Sequence, residues 1–298
     1  MKKAKMTAII IASIVLVVGV AVTVASLAVA RFDISGLLGN KKISYEVSDL
    51  EAFERISICE SSCDVRVEST VQEPYIEYTG SDSVTHNVTV KDGTLVIEGV
   101  DGRKWYEKIL SFVDGKLTLY LPHGNEYEVE ISTKSGNVTI ERAFNAKTVN
   151  VTTASGNVEC GSDASEGATV ETTSGNVNFN GCHGKKISAK TTSGEIYAGG
   201  AICLEASFES CSGNVELEGV NVRDSLNVET TSGNIELDEC DSAALKLVST
   251  SGNISGELLS EKVFMAKSTS GRINVPFGLS GGKCEITTTS GNIDFERD

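Results

Sequence analysis

A short word, Ser-Gly-Asn or a close variant, returns through the second half of the chain at intervals too even for chance. Its glycines are Gly136, Gly156, Gly175, Gly194, Gly213, Gly233, Gly252, Gly271 and Gly291, each 19 or 20 residues from the next. Self-similarity at such a fixed period marks a repeat architecture, in which one unit buries its apolar face only by stacking on its neighbours. Upstream of the glycine, inward-facing residues alternate, as in Ala168, Val170, Thr172 and in Leu226, Val228, Thr230. Downstream they alternate again, as in Val177 and Phe179 or Ile235 and Leu237. Each run has the period of two that gives a strand one buried face. The inward position three before the glycine and the one two after it are five apart, and an odd offset cannot keep both on one face of an unbroken strand. The word is therefore a corner between two strands.

Glycine tolerates positive φ and asparagine enters the left-handed region more readily than most residues, so the nine glycines are read as structural turn residues. Asparagine follows the glycine in seven of the nine copies, with Glu195 and Arg272 in the others. Stacked in register, these asparagines are expected to form a ladder of side-chain amides. A second corner half a period later is less regular, for example Asn180-Gly181-Cys182-His183, and loops there are where a solenoid would bind. The fold expected for residues 126–298 is all-β, a parallel β-solenoid of about nine coils of 19–20 residues. An antiparallel meander that turns at every Ser-Gly-Asn has the same period and competes with it.

The N-terminus divides further. Residues 1–6 carry Lys2, Lys3 and Lys5, and an uncharged stretch runs from Thr7 to Ala30. As a helix rising about 1.5 Å per residue, residues 7–30 are long enough to span a bilayer once. The lysines ahead of it would stay in the cytoplasm, placing the bulk of the chain at the cell surface. Ala28-Val29-Ala30 also fits a signal-peptide cleavage site, so anchor and cleaved signal both stand. Residues 31–50 read as a juxtamembrane spacer. Residues 51–125 read as an irregular β region, with strand-like runs at 56–59, 65–67, 88–90, 95–97 and 117–121 and a hairpin at Asp92-Gly93. The spacing of Trp105, Tyr106, Ile109, Leu110, Phe112 and Val113 predicts a short helix that caps the first coil. At the other end the chain stops just beyond the ninth corner, and the last strand, around Ile293, is expected to be an edge either blunted by charge or open to a second copy.

Beyond residue 30 the chain holds 23 basic against 41 acidic residues, a balance that makes nucleic acid and anionic membrane surfaces poor partners. All eight cysteines lie there too. Their spacings match no paired zinc signature, and Cys59 and Cys63 form the one candidate disulfide. The three histidines, His86, His123 and His183, sit in unrelated contexts, and no nucleophile motif accompanies them. Glu171, Glu209 and Glu229 recur four residues before the glycine, in a stripe broken by Lys190 and Lys267, which reads as a solvated face. No catalytic, cofactor-binding or metal-ligating residue is assigned, and the expected protein is a non-enzymatic surface module. A carbohydrate-active enzyme or lectin built on a β-solenoid is the alternative.

The run "LTLYLPHGNEYEVEISTKSGNVTI" from Leu117, followed by the serial "TTSGNV" words, resembles the DUF4097 family of bacterial surface proteins, also known as the toast-rack domain. The resemblance covers about residues 50–298. It implies an exported β-repeat protein with a role in adhesion or in sensing envelope stress, often with an N-terminal membrane anchor. It brings no catalytic residue with it.

Overall fold

The computed structural model describes residues 41–103 and 115–297. The candidate membrane span at 7–30 and the candidate capping helix at 105–113 lie outside the described residues. Among the described residues every regular element is a strand, and no helix is long and apolar enough to cross a membrane. The described residues 42–103 and 115–297 belong to one compact unit.

Two parallel sheets face each other, and each coil contributes one strand to each. The longer strands carry the residues before the corner: β8 (Tyr127–Thr133), β10 (Asn145–Thr153), β12 (Asp163–Thr172), β14 (His183–Thr191), β16 (Ile202–Ser210) and β18 (Asn221–Thr230) pair in parallel, each with the next. The short strands after the corner form the other sheet: β9 (Val138–Ile140), β11 (Val158–Cys160), β13 (Val177–Asn180), β15 (Ile196–Gly199) and β17 (Val215–Glu218). β19 (Ile235–Ser249) runs through both sheets, its first half beside β17 and its second beside β18. The parallel pairing rules out the antiparallel meander. Val170, Val177, Phe179, Phe208, Leu217, Val228 and Leu237 are all buried between the sheets, on the faces their alternation predicts.

The regular stack makes about eight turns rather than nine, because the coil containing Gly271 leaves the order of the chain. β23 (Gly282–Thr288) lies directly on β19, and β24 (Ile293–Arg297) lies on β20 (Ile254–Leu258). The intervening β21 (Lys262–Ser268) and β22 (Ile273–Asn274) are displaced outward, pairing only with β23 and β24 among the described residues. The last strand is thus interior, and the open edge is the coil before it. That corrects the expectation of an edge at Ile293.

The N-terminal end shows the same exchange. β2 (Arg55–Cys59) and β3 (Asp64–Thr70) sit directly against β8 and β9. β6 (Thr94–Asp101) and β7 (Lys116–Pro122) lie beyond them, also in parallel. Antiparallel strands then close this end: β5 (Val84–Lys91) on β6, β4 (Tyr75–Ser81) on β7, and β1 (Lys42–Val47) on β4. Asp92 and Gly93 both have positive φ, 50° and 72°, the two-residue hairpin turn that their sequence signals. The described strands between residues 51 and 103 and between 115 and 125 are therefore part of the same two sheets, and residues 42–47, read as spacer, are a paired strand.

Candidate functional site

The repeated corner spends its side chains on stacking. Three residues before the glycine, a buried hydroxyl accepts the glycine's own N–H, as Thr172 Oγ1 does from Gly175 at 3.0 Å and Ser210 Oγ from Gly213 at 2.9 Å. The same hydroxyl donates to the glycine carbonyl of the preceding coil: Thr191 to Gly175 at 3.2 Å, Ser210 to Gly194 at 3.1 Å, Thr288 to Gly252 at 3.1 Å. One residue past the glycine, asparagine Oδ1 accepts the backbone N–H of its counterpart in the next coil. This series runs from Asp64 through Asn137, Asn157 and Asn176 to Glu195, at 2.8–3.0 Å. It runs again from Asn214 through Asn234, Asn253 and Asn292 to Arg272, at 2.9–3.0 Å. The ladder therefore joins side chain to backbone rather than amide to amide.

The glycines are needed for a different reason from the one their type suggests. None of the nine is among the residues with positive φ. A Cβ on Gly156, Gly175, Gly194, Gly213, Gly233, Gly252 or Gly291 would instead collide with the carbonyl oxygen of the corner glycine in the coil beneath. Left-handed backbone occurs at the second corner, at Gly181, Gly200, Gly219 and Glu239, with φ of 49–70°. Only two residues separate β13 from β14, β15 from β16 and β17 from β18 at that corner, so no binding loop emerges there.

On the outer face, Glu171, Lys190, Glu209 and Glu229 stand in register on successive strands, and Lys190 Nζ meets Glu209 at 2.8 Å. Lys147 with Glu128 and Lys185 with Glu166 repeat this contact between coils, at 2.6 and 2.8 Å. These are solvated ion pairs of small individual worth.

One corner departs from the rule, and it lies in the first coil. Glu60-Ser61-Ser62-Cys63-Asp64 occupies the place of Thr133-Lys134-Ser135-Gly136-Asn137: the Glu60 N–H donates to Ser132 O at 2.8 Å, the Ser135 N–H to Ser61 O at 3.2 Å, and the Asn137 N–H to Asp64 Oδ1. The buried hydroxyl is thereby replaced by a carboxylate and the stacking glycine by a thiol. Room for both comes from the coil above, where a Cβ on Gly99 would strike the Glu60 carboxylate and one on Gly115 the Cys63 sulfur. From the closing strands, His86 of β5 places Nε2 2.6 Å from Glu60 Oε1, with both side chains excluded from solvent at 0% and 1% exposure. The other ring nitrogen, Nδ1, lies 2.6 Å from the Tyr45 hydroxyl. The Tyr78 ring sits against the imidazole at 4.5 Å between centroids, and its hydroxyl donates to Ser81 O. Arg103, fixed by Asp101 at 2.8 Å, reaches Ser62 Oγ at 2.5 Å. Burial, and then the neighbouring Glu60 carboxylate, push the Cys63 thiol up to about 12.

Cys59 and Cys63 are both free, the first exposed and the second buried in this cluster, so the candidate disulfide does not form. Of the histidines His86 alone enters the cluster, while His123 and His183 are exposed. Reading Glu60 to Asp64 as a variant of the corner word, rather than as a two-cysteine hairpin, is the signal by which sequence alone finds this place.

The family model for Toastrack DUF4097 matches the chain twice, over residues 53–200 and 185–298. The chain belongs to the DUF4097 family. Two successive matches agree with a fold that repeats internally. Among solved structures, a putative adhesin from Parabacteroides merdae aligns with a TM-score of 0.54 at 14% identity, over 86% of this chain and 96% of its own. A putative adhesin from Parabacteroides distasonis gives 0.53 at 14%, over 87% and 98%. A putative lipid binding protein from the same species gives 0.55 at 18%, over 86% and 97%. At these identities the likeness is one of fold. No curated protein matches this DUF4097 chain.

Proposed function

We propose that this DUF4097 protein is a non-enzymatic module of the bacterial cell surface that acts in adhesion, held to the membrane by residues 7–30 with its N-terminus in the cytoplasm. One observation carries the reading: the side chains repeated most faithfully along the chain, Thr172, Gly175, Asn176 and their equivalents, are consumed by stacking. The outward columns of polar and charged residues are left to meet a partner along the length of the coils. A surface built this way binds by summing many weak, equivalent contacts. The fold shared with two structures named as adhesins supports the same reading.

A second copy of the chain is the partner proposed for the open end. β21 has a row of backbone groups facing no strand on its outer side among the described residues, and such an edge invites another strand. Val263 and Met265 there are 37% and 47% exposed. The next coil carries Lys283 and Glu285 at the same register. Phe277 and Leu279 stand nearby at 87% and 85% exposure. At the N-terminal end β1 and β5 are also paired on one side only among the described residues. It is β21 and the residues after it, rather than β1 or β5, that expose large apolar side chains, so the pairing proposed is of C-terminal end with C-terminal end.

Adhesion is tested by comparing attachment of cells that display the full chain with attachment of cells displaying variants whose outward charges are reversed in one coil or in four. The distributed surface predicts little loss from one coil and a large loss from four. Complete loss from a single coil, or turnover of any glycan by the purified chain, would favour a local lectin or enzyme site.

A further inference from the structure

The Glu60, Cys63 and His86 donors lie within 4.8 Å of one another, drawn from two separate elements, and all three side chains are buried. Glu60 Oε1 and His86 Nε2 approach to 2.6 Å, yet neither has a hydrogen-bond partner of acceptable geometry. Two buried polar atoms that face each other without sharing an aligned proton are costly, and two ligands of one cation relieve that cost. We propose that this corner is a transition-metal site for a zinc-class divalent ion, ligated by the Cys63 thiolate, His86 Nε2 and the Glu60 carboxylate.

The donor set selects the ion. Thiolate and imidazole exclude calcium and magnesium, which take oxygen ligands, and thiolate, imidazole and carboxylate together are the zinc set. Bond lengths of about 2.0–2.3 Å place tetrahedral ligand atoms roughly 3.3–3.8 Å apart, so the Glu60–His86 approach has to open by roughly 1 Å to admit the ion. The second layer is already in place: a proton on Nδ1 directed at the Tyr45 hydroxyl leaves the Nε2 lone pair for the metal, as ligating histidines require. Binding releases the Cys63 proton to solvent and forms the metal–sulfur bond, with no change of oxidation state.

The site also has a structural logic. The hydroxyl-to-glycine ladder stops at this corner, where Glu60 and Cys63 replace its two partners, and the ion would tie the corner to β5 of the closing strands. Sequence spacing does not reveal the ligand set, because the three residues match no spaced metal motif.

The test uses the full-length chain with Cys59 and Cys211, the two exposed cysteines, changed to serine to remove adventitious thiol ligands. It is expressed in cobalt-supplemented medium and purified in detergent with reductant. One cobalt per chain is expected, with a thiolate-to-cobalt charge-transfer band that zinc abolishes. Cys63→Ser should lose the band and the metal. Glu60→Gln and His86→Asn should weaken retention against a chelator at least tenfold, and Tyr45→Phe should weaken it less. Circular dichroism reports folding of each variant, and His86→Asn decides the matter should Cys63→Ser misfold. A folded chain that holds no metal, or a band that survives in both Cys63→Ser and His86→Asn, would overturn the proposal and leave a buried Glu60–His86 ion pair.

Discussion

At the scale of single residues, the two glycines of one coil separate two physical roles. Gly194 lacks a side chain because the carbonyl of Gly175 occupies the space, whereas Gly200 has φ of 60° and nothing within 4 Å of a Cβ. Asparagine tolerates the left-handed region, and Glu239 already fills the position equivalent to Gly200 with φ of 49°. Gly200→Asn should therefore cost under about 1 kcal/mol in denaturant titration. Gly194→Asn should cost about 3 kcal/mol or more by forcing neighbouring coils apart. Equal losses would remove the steric account of the corner. The asparagine ladder makes a parallel forecast. Asp64 already serves in it, so Asn176→Asp should leave thermal stability nearly unchanged at neutral pH. Asn176→Leu removes the acceptor of the Glu195 N–H and should cost about 1 kcal/mol.

Buried thiols set a pH dependence at the same scale. Burial raises Cys203 and Cys240 to about 11 and Cys284 to about 12, from an ordinary value of 9.0. The folded state thus holds these protons more tightly than the unfolded chain, and the associated stability is fully present below pH 9. It falls as pH rises toward the folded values, because unfolding then releases protons. Melting temperatures measured under reducing conditions should stay level from neutral pH to about 9 and decline beyond it. A flat profile to about pH 11 would show that the thiols are more accessible to solvent than this packing allows.

At the scale of elements, the alternation of residues and the spacing of the corners make the strands legible in the sequence. Val177 and Phe179 face inward as their period requires, and the hairpin at Asp92-Gly93 follows from its two residues alone. The order of the strands is not legible there. The words around Gly271 and Gly291 differ at Arg272 and Asn292, but both satisfy the same apolar alternation, which does not say which coil stacks next and which goes outside. The exchange depends on which coil better covers β19 and β20, a comparison between segments far apart in sequence. Proline should report it: Glu285→Pro in β23, which lies between β19 and β21, removes an interior ladder bond and should unfold this end. Met265→Pro in the outermost β21 should be tolerated better. The reverse order of damage in limited proteolysis would contradict the exchange.

At the scale of the whole molecule, the exposed apolar residues around β21 predict a polarity of association. The full chain in detergent should self-associate through its C-terminal end. Val263→Lys with Met265→Glu, which restores the charges found at that register one coil inward, should return it to a monomer in sedimentation velocity without lowering its melting temperature. A full-length chain that is monomeric at high concentration would sink this part of the proposal.

Residue chemistry and period determined that this chain forms strands joined at a corner every 19 or 20 residues, since apolar alternation and the parity of the corner are local properties of the chain. The parallel pairing of those strands was decided by the tertiary structure. Tertiary structure alone decided why the corner needs glycine, which coil lies at each end, and that Glu60, Cys63 and His86 meet. Each of those depends on atoms brought together across coils, where a carbonyl in the layer beneath or an imidazole from a closing strand sets what a residue can be.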